Sequence, residues 1–394
     1  MIKIHEWEKI ITEGKAKIIV PDPELFKRPD GVYEPAWAPV FYNPRAAFNR
    51  DVAMVFTASY FKGKEYFFVE PLAGCGIRSI RYVLESCGIG IANDIDPIAY
   101  YYMTRNIELN RVQDKLRAFN SEANTLLNSL RNEGLIINYI DIDPYGTPIP
   151  FIDSATYAIA KHGVIAVTAT DTGPLNCSHP NVCYRRYNAI CYKTDFSKEA
   201  GLRILIGALV RRATSHDVGL RPLLAYYHDY YYRVFFLALK SAKTADSILS
   251  NIGYILYDKD TFERTFIDEK RLLEMKPSET RDKTIIGPLW IGKLADEEIL
   301  ANILNYLEKH INEYPYYENV YKLINMLSQE YKINVPYYRY DKLFGKMKKN
   351  TPPINIFVNS IRESGYEAYR THFDPKGVRT NMPFKELIDL IRTF

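Results

Sequence analysis

Two short runs carry residue types suited to moving a group onto an amine. They are Glu70-Pro71-Leu72-Ala73-Gly74-Cys75-Gly76-Ile77-Arg78 and Asp141-Ile142-Asp143-Pro144-Tyr145-Gly146. In the second, Asp143 is a pure hydrogen-bond acceptor, Pro144 offers a carbonyl but no N–H, and Tyr145 offers a flat face. Two acceptors beside a ring suit an exocyclic amine on a nucleobase, which donates both hydrogens and aims its lone pair at an incoming methyl group. The same residues also make a strand-ending Asp-Pro-Tyr-Gly turn on turn chemistry alone. Asp141, two residues earlier on the same strand face, is expected either to raise the pKa of its neighbour or to be structural.

In the first run, Gly74 and Gly76 lack a Cβ, so the backbone there turns tightly and can approach a ligand. About 18 residues beyond Gly76, at the offset that suits a ribose hydroxyl pair, stands Asp94. The third glycine of a dinucleotide fingerprint is missing, since Ile77-Arg78-Ser79 follows Gly76. That argues against a pyrophosphate and for a nucleoside cofactor without phosphate, which S-adenosylmethionine fits.

These residues need a frame that brings strand ends together. From Tyr66 to Asp171 strand and helix patterns alternate, with strands expected at Tyr66–Val69, Gly88–Asn93, Leu116–Phe119, Leu135–Asp141 and Val164–Thr170. Such alternation predicts a parallel sheet with helices on both faces, with ligands at its carboxyl edge. Ser121-Glu122-Ala123-Asn124 falls at that edge, suited to an adenine contact or to capping the next helix. Residues 1 to 40 read as a hairpin or arm. Pro44 is placed to open a helix with Asn43 as N-cap. Arg45 in the first turn is opposed by the macrodipole, so a ligand carboxylate is one partner for it and a surface position the alternative.

The 394 residues imply two domains, and 47% hydrophobic with 25% charged residues implies a globular chain. The net charge of +4 is compatible with nucleic acid without pointing to it. No apolar run is long enough for a membrane span, and charges interrupt Met1-Ile2-Lys3-Ile4-His5-Glu6 too soon for a signal peptide. The five cysteines, Cys75, Cys87, Cys177, Cys183 and Cys191, read as reduced cytoplasmic thiols. Cys177, His179, Cys183 and Cys191 can be written as a zinc site, but no C-x-x-C pair is present and no metal is expected.

Two clusters interleave bases with rings: Cys183-Tyr184-Arg185-Arg186-Tyr187 and Tyr226-Tyr227-His228-Asp229-Tyr230-Tyr231-Tyr232-Arg233. Arginine can hold phosphate while tyrosine stacks on a base. The second cluster runs into an apolar stretch and also reads as a buried strand. Beyond about Tyr257 charges rise and helices are expected to dominate, which places a domain boundary near 260: a catalytic domain with its arm at 1–260 and a smaller α/β domain at 261–394. Lys342-Leu343-Phe344-Gly345-Lys346-Met347-Lys348-Lys349 is the densest basic run there, a solvated face or a phosphate grip.

Taken together these runs resemble the tRNA (guanine-26-N2)-dimethyltransferase family of archaea and eukaryotes. The resemblance rests on Phe41-Tyr42-Asn43-Pro44-Arg45, Asn49-Arg50-Asp51, Gly76-Ile77-Arg78-Ser79, Asn93-Asp94-Ile95-Asp96-Pro97, Asn106-Ile107-Glu108-Leu109-Asn110, Asp141 to Pro148, Thr170-Asp171-Thr172, Cys183 to Tyr187, Gly201 to Leu205, and the tail run Thr371-His372-Phe373-Asp374-Pro375-Lys376-Gly377-Val378-Arg379-Thr380. It implies a class I (Rossmann-like) S-adenosylmethionine-dependent domain and a family-specific C-terminal domain that contacts tRNA. It further implies that Arg45, Glu70, Gly74, Gly76, Arg78, Asp94, Ile95, Glu122 and Ala123 hold the cofactor, with Asp94 at its ribose and Glu122 and Ala123 at its adenine. Asp143 is then the catalytic carboxylate. Pro144, Tyr145 and Phe41 surround the guanine, and Arg185, Arg186, Lys376 and Arg379 contact the RNA. Tyr145 replaces the phenylalanine of many members, and Cys75 a smaller or hydroxyl residue. The expected partner is tRNA, with no membrane and no obligatory protein partner. The rival readings are an N6-adenine methyltransferase, which needs the same acid-proline-aromatic trio, and a non-catalytic tRNA-binding protein.

Overall fold

The structure is a computed structural model and describes residues 3–394, so Met1 and Ile2 of the opening hexapeptide lie outside it. By packing, the chain divides into two compact units. One comprises Met1–Pro144, Asp153–Val167 and Ala301–Ile324; the other comprises Tyr145–Ile152, Thr168–Leu300 and Asn325–Phe394.

In the first unit, β1 (Glu8–Glu13) and β2 (Ala16–Pro21) form the antiparallel hairpin expected of the arm. Asn43 and Pro44 do open a helical segment. They form a short 3-10 turn, Pro44–Ala46, with the Asn43 side chain accepting from the Arg45 N–H at 3.0 Å, and this runs into α1 (Ala47–Phe61). Then follow β3 (Tyr66–Glu70), α2 (Ile77–Ser86), β4 (Gly88–Asn93), α3 (Pro97–Leu109), β5 (Leu116–Phe119), α4 (Ala123–Asn132), β6 (Ile137–Ile142), α5 (Ile152–Ala158) and β7 (Ile159–Ala169). Strands β3, β4, β5, β6 and β7 pair in parallel, as β3 with β4 and β6, β4 with β5, and β6 with β7. The strand order β5-β4-β3-β6 places the ends of β3 and β4, and of β3 and β6, side by side. Gly90 makes the β3–β4 pairing possible, because a Cβ there would lie 2.0 Å from the Phe68 carbonyl oxygen.

Helix α1 is buried on nearly every side yet carries Arg50 and Asp51. Both are paired. Arg50 lies 2.6 Å from Glu13, and Arg81 reaches Glu13 at 2.9 Å, Asp51 at 2.6 Å and Glu85 at 2.8 Å. Burial opposes the Glu13 charge, but the Arg50 and Arg81 guanidiniums outweigh it and hold the carboxyl at about 2. For Asp51 burial wins and pushes the carboxyl up to about 6, against Arg81 and the Tyr316 N–H. The cluster ties the hairpin, α1 and α2 into one block behind the sheet edge.

The second unit contains α6 (Thr172–Leu175), α7 (Pro180–Tyr187), α8 (Ser197–Thr214), β8 (Val218–His228) and β9 (Tyr231–Lys240). Strands β8 and β9 are an antiparallel hairpin. The Tyr226–Arg233 cluster is this hairpin, and its Tyr226, Tyr231, Tyr232 and Arg233 are buried, so those residues serve packing. Beyond about Tyr257 the structure departs from the helix-dominated expectation, and a strand already leads into that region. Ile252–Asp258, Arg264–Asp268 and Lys283–Trp290 form an antiparallel sheet, and Tyr338–Arg339, Ala368–Arg370 and Gly377–Thr380 form another. The last three strands are too short to carry a period-two signal. They pack on helices Tyr340–Lys346, Ile354–Glu363 and Phe384–Thr393 around Phe344, Phe357, Ile361, Val378, Leu387 and Ile391. In the basic run, Leu343 and Phe344 are core residues, Lys342, Lys346 and Lys348 are exposed, and the Lys349 Nζ donates to the Arg392 carbonyl at 2.8 Å.

Candidate active site

The sheet's carboxyl edge gathers the first unit's polar loops. Residue Glu70 ends β3, and the chain then turns through Gly74 (φ +54°) and Gly76 (φ +80°) before α2 starts. A Cβ on Gly76 would meet the Met103 side chain at 2.9 Å, and one on Gly74 would touch the Phe41 carbonyl at 3.4 Å. Positive φ therefore favours glycine at both positions, and at Gly76 the close approach of Met103 adds to it. The turn is stitched to the end of β4. The Ala73 N–H donates to the Asn93 carbonyl at 2.7 Å, and the Gly74 N–H donates to Asp94 Oδ2 at 2.9 Å. Asp94 Oδ1 accepts from the Asp96 N–H at 3.0 Å, leaving each carboxylate oxygen with further acceptor capacity.

The loop before α4 is bound to the same edge. Asn93 Nδ2 donates to the Pro71 and Ser121 carbonyls, both at 2.9 Å, and the Asn120 amide donates to the carbonyls of Asp94 and Ile95. Glu122 is the α4 N-cap, and its carboxylate accepts from the Thr125 N–H at 2.8 Å and from Asn124 Nδ2 at 3.0 Å. Of the two readings of that loop, the capping one is met by Glu122. Ala123 is buried and Ile95 exposed.

At the end of β6, Asp143 is held by a residue distant in sequence. Arg78, on the first turn of α2 and buried, donates from Nη2 to Asp143 Oδ2. Its Nε lies 3.1 Å from Glu70, and its Nη1 donates to Asn49 Oδ1 at 3.0 Å and lies 3.7 Å from Asp141. Three carboxylates thus surround one guanidinium. Asp141 is fully buried and accepts from the Tyr82 and Tyr139 hydroxyls at 2.5 and 3.1 Å, which makes it a structural anion beneath the site. The Asp143 side chain keeps about a quarter of its surface open, at 26% exposed, and it is the member of the set open to solvent. Burial raises the Glu70 carboxyl to about 8; Arg78 opposes the shift, while Asp141 and Asp143 reinforce it. Glu70 was expected at the cofactor. Its carboxylate instead accepts from the Ser79 hydroxyl and pairs with Arg78, which makes it a brace for that arginine.

The other expected residues divide by environment. Phe41 is partly exposed, and its carbonyl covers Gly74. Arg45 is exposed on the 3-10 turn. Cys75 is buried, and burial pushes its thiol up to about 12, so it packs and does not react. In the second unit Tyr145 is 69% exposed and Arg185 is exposed. Arg186 is pinned 2.7 Å from Asp171. Lys376 is exposed and lies 3.3 Å from Asp341. Arg379 requires correction. It is fully buried, 3.0 Å from Glu199 and 3.4 Å from Glu330, so an RNA phosphate cannot reach it. Its network includes Arg203, paired with Glu199 at 3.0 Å, and His372, whose Nε2 accepts from the Tyr227 N–H at 3.2 Å. Asn49, Ser79 and Asn120 also support the site; Asn49 and Ser79 fall in runs that carry the resemblance, but no role was expected of any of the three.

Cys177, Cys183 and Cys191 are buried, and among the described residues no group of three His, Cys, Asp or Glu is placed to hold a metal ion. Also among the described residues, no helix is long and apolar enough to cross a membrane.

A parallel sheet whose glycine turn, ribose-suited Asp94 and strand-end Asp143 meet at one edge defines a class I methyltransferase. The model of the N2,N2-dimethylguanosine tRNA methyltransferase family matches residues 14–392, and the chain belongs to that family. It is 36% identical over 387 residues to the tRNA (guanine(26)-N(2))-dimethyltransferase of Metallosphaera sedula, with 97% of this chain and 96% of that protein covered. It is 35% identical over 395 residues to the one from Pyrococcus furiosus, covering 97% and 98%. A solved structure of Trm1 from Pyrococcus horikoshii in complex with S-adenosyl-L-methionine superposes with a TM-score of 0.84 at 32% identity, covering 97% of this chain and 99% of that one.

Proposed function

We propose that this chain transfers methyl groups from S-adenosylmethionine to the exocyclic N2 of guanine 26 in tRNA, giving N2-methyl- and then N2,N2-dimethylguanosine. The observation that carries the chemistry is Asp143: a strand-end carboxylate, held by Arg78, partly open, and followed by a residue without an N–H. The choice of guanine over an adenine amine rests on family membership, because the acid-proline-aromatic trio alone serves either base.

The residues present fit the cofactor. The Gly74–Gly76 turn leaves no Cβ in the way, Asp94 has acceptor capacity for two ribose hydroxyls, and the loop at Glu122 and Ala123 is tied to the same edge. Arg45 and Arg78 are the cations for its carboxylate, and Ile95 is the apolar side of its nucleoside. When bound, S-adenosylmethionine supplies an electrophilic methyl group on a sulfonium.

The rest falls to the chain. Guanine N2 is a poor nucleophile because its lone pair is delocalised into the ring. Asp143 accepts one N–H and the Pro144 carbonyl the other, which draws the nitrogen toward a tetrahedral shape. Asp143 then takes the proton as the nitrogen gains its methyl group. Positioned base help of this kind contributes roughly 10²–10⁴-fold. Arg78 fixes the direction of Asp143 through a rigid planar fork. Phe41, in the unit that carries Asp143, offers a ring face to the base. Turning guanine out of its stack costs a few kcal/mol, which phosphate contacts from Arg185, Arg186, Lys376 and the 261–394 region offset. The reading carries a cytoplasmic location and no obligatory protein partner.

Incubating purified enzyme with a tRNA transcript and labelled S-adenosylmethionine, then analysing nucleosides by mass spectrometry, tests it. Label in N2-methyl- and N2,N2-dimethylguanosine at position 26 is expected; label in N6-methyladenosine, or none, refutes it.

A further inference from the structure

Arg78 is one guanidinium among three carboxylates, and a neutral side chain decides which of them it serves. Its Nε faces Glu70 at 3.1 Å and its Nη2 donates to Asp143, whereas its Nη1 lies 3.7 Å from Asp141, beyond hydrogen-bond reach. Charge alone favours Asp141, which is fully buried where attraction is least screened, while Asp143 is partly open to solvent. Nη1 instead donates to Asn49 Oδ1 at 3.0 Å. Asn49 is buried in the first turn of α1. With Nε on Glu70 and Nη1 on Asn49, the rigid planar fork aims Nη2 at Asp143. The first turn of a helix favours an acid over a neutral residue, and aspartate has the shape of asparagine. An acid at position 49, however, would be a fourth carboxylate around one cation and would draw Arg78 to itself.

We infer that Asn49 is a positioning residue for the catalytic carboxylate: an uncharged acceptor on α1 that holds Arg78 off Asp141 and on Asp143. This rests on the reading of Asp143 as proton acceptor given above. When the Asn49 oxygen is removed, the carboxylate beside Nη1 is Asp141, and the guanidinium turns to close the 3.7 Å gap. That turn carries Nη2 away from Asp143 and frees the carboxylate to rotate. A misplacement of about 1 Å at reacting groups costs up to 10²-fold in rate.

The test is single-turnover methyl transfer to a tRNA transcript by full-length protein at saturating S-adenosylmethionine. Asn49→Leu keeps the volume and removes the acceptor, and is expected to slow transfer about tenfold or more with tRNA affinity unchanged. Asp141→Asn removes the competing charge, while its oxygen still accepts from the Tyr82 and Tyr139 hydroxyls. In that background Asn49→Leu is expected to slow transfer less than it slows the parent, by a factor of about three or more, because neighbours couple. A merely structural Asn49 would slow both backgrounds alike. Asn49→Asp keeps an acceptor and suits the helix turn, so it folds where Asn49→Leu does not, and thermal unfolding verifies this. It is expected to be slow as well, because it takes Arg78 for itself. Equal effects of Asn49→Leu in the two backgrounds, or an Asn49→Asp variant that transfers methyl at the parent rate, overturn the role of Asn49 alone. A parent that places no methyl group on guanine overturns the reading of the reaction itself.

Discussion

Replacing Glu70 by glutamine should change how stability depends on pH while leaving the fold intact. The glutamine oxygen can still accept from Arg78, and its amide nitrogen can donate to the Ser79 hydroxyl oxygen, so shape and hydrogen bonds are retained. What disappears is a proton. Burial, with Asp141 and Asp143 adding repulsion, raises the Glu70 carboxyl from 4.5 to about 8 in the folded chain. Folding therefore takes up a proton between those values. The stabilisation is fully present below about 4.5 and is lost as pH rises through about 8. Each pH unit in that window costs about 1.4 kcal/mol relative to the unfolded chain. Between about pH 5.5 and 8 the parent should lose roughly 3 kcal/mol more than Glu70→Gln. Asp51, raised to about 6, titrates in the same direction but is common to both proteins and cancels in the difference. Urea denaturation of both at several pH values measures it. Equal pH slopes would show that Glu70 is ionised at neutral pH, and the picture of three carboxylates sharing one guanidinium and one proton would fail.

Three further outcomes follow from the packing and the charges. Gly90→Ala places a Cβ 2.0 Å from the Phe68 carbonyl across two paired strands, so the variant should not accumulate as folded protein, which expression and thermal melting would reveal. Arg379→Met removes the cation shared by Glu199 and Glu330, leaving them Arg203 and His372, and should cost about 3 kcal/mol in chemical denaturation, while tRNA affinity of the folded fraction stays at the parent value. Arg185→Ala should lower the slope of log affinity for tRNA against log salt by about 1. Arg186→Ala should change it less, because Asp171 already neutralises that side chain.

The elements of the active edge were legible because they are long and periodic, and because their glycines and acids sit where strands end. Asp143, Asp94 and the Gly74–Gly76 turn are read directly from that pattern. The Arg78–Asp143 pair was not, since 65 residues separate its members and only the sheet order brings their strand ends together. Arg379 was misread for a related reason. It lies in a polar, turn-rich run typical of a surface, and its burial depends on Glu199 and Glu330, which lie 180 and 49 residues away. Arg264–Asp268 and Tyr338–Arg339 were missed because five and two residues of mixed polarity carry no periodicity to detect, whereas Ile252–Asp258 and Lys283–Trp290, of seven and eight residues, are long enough to be read and were overlooked.

The account depends on Asp143 taking a proton from the amine that receives the methyl group. Single-turnover methyl transfer by Asp143→Asn, with cofactor binding measured alongside, tests this most directly, because the asparagine oxygen still accepts from Arg78 and leaves the clamp in place. A rate lowered by roughly 10²–10⁴ with cofactor affinity within a few-fold of the parent is predicted. A variant that methylates guanine as fast as the parent would contradict it.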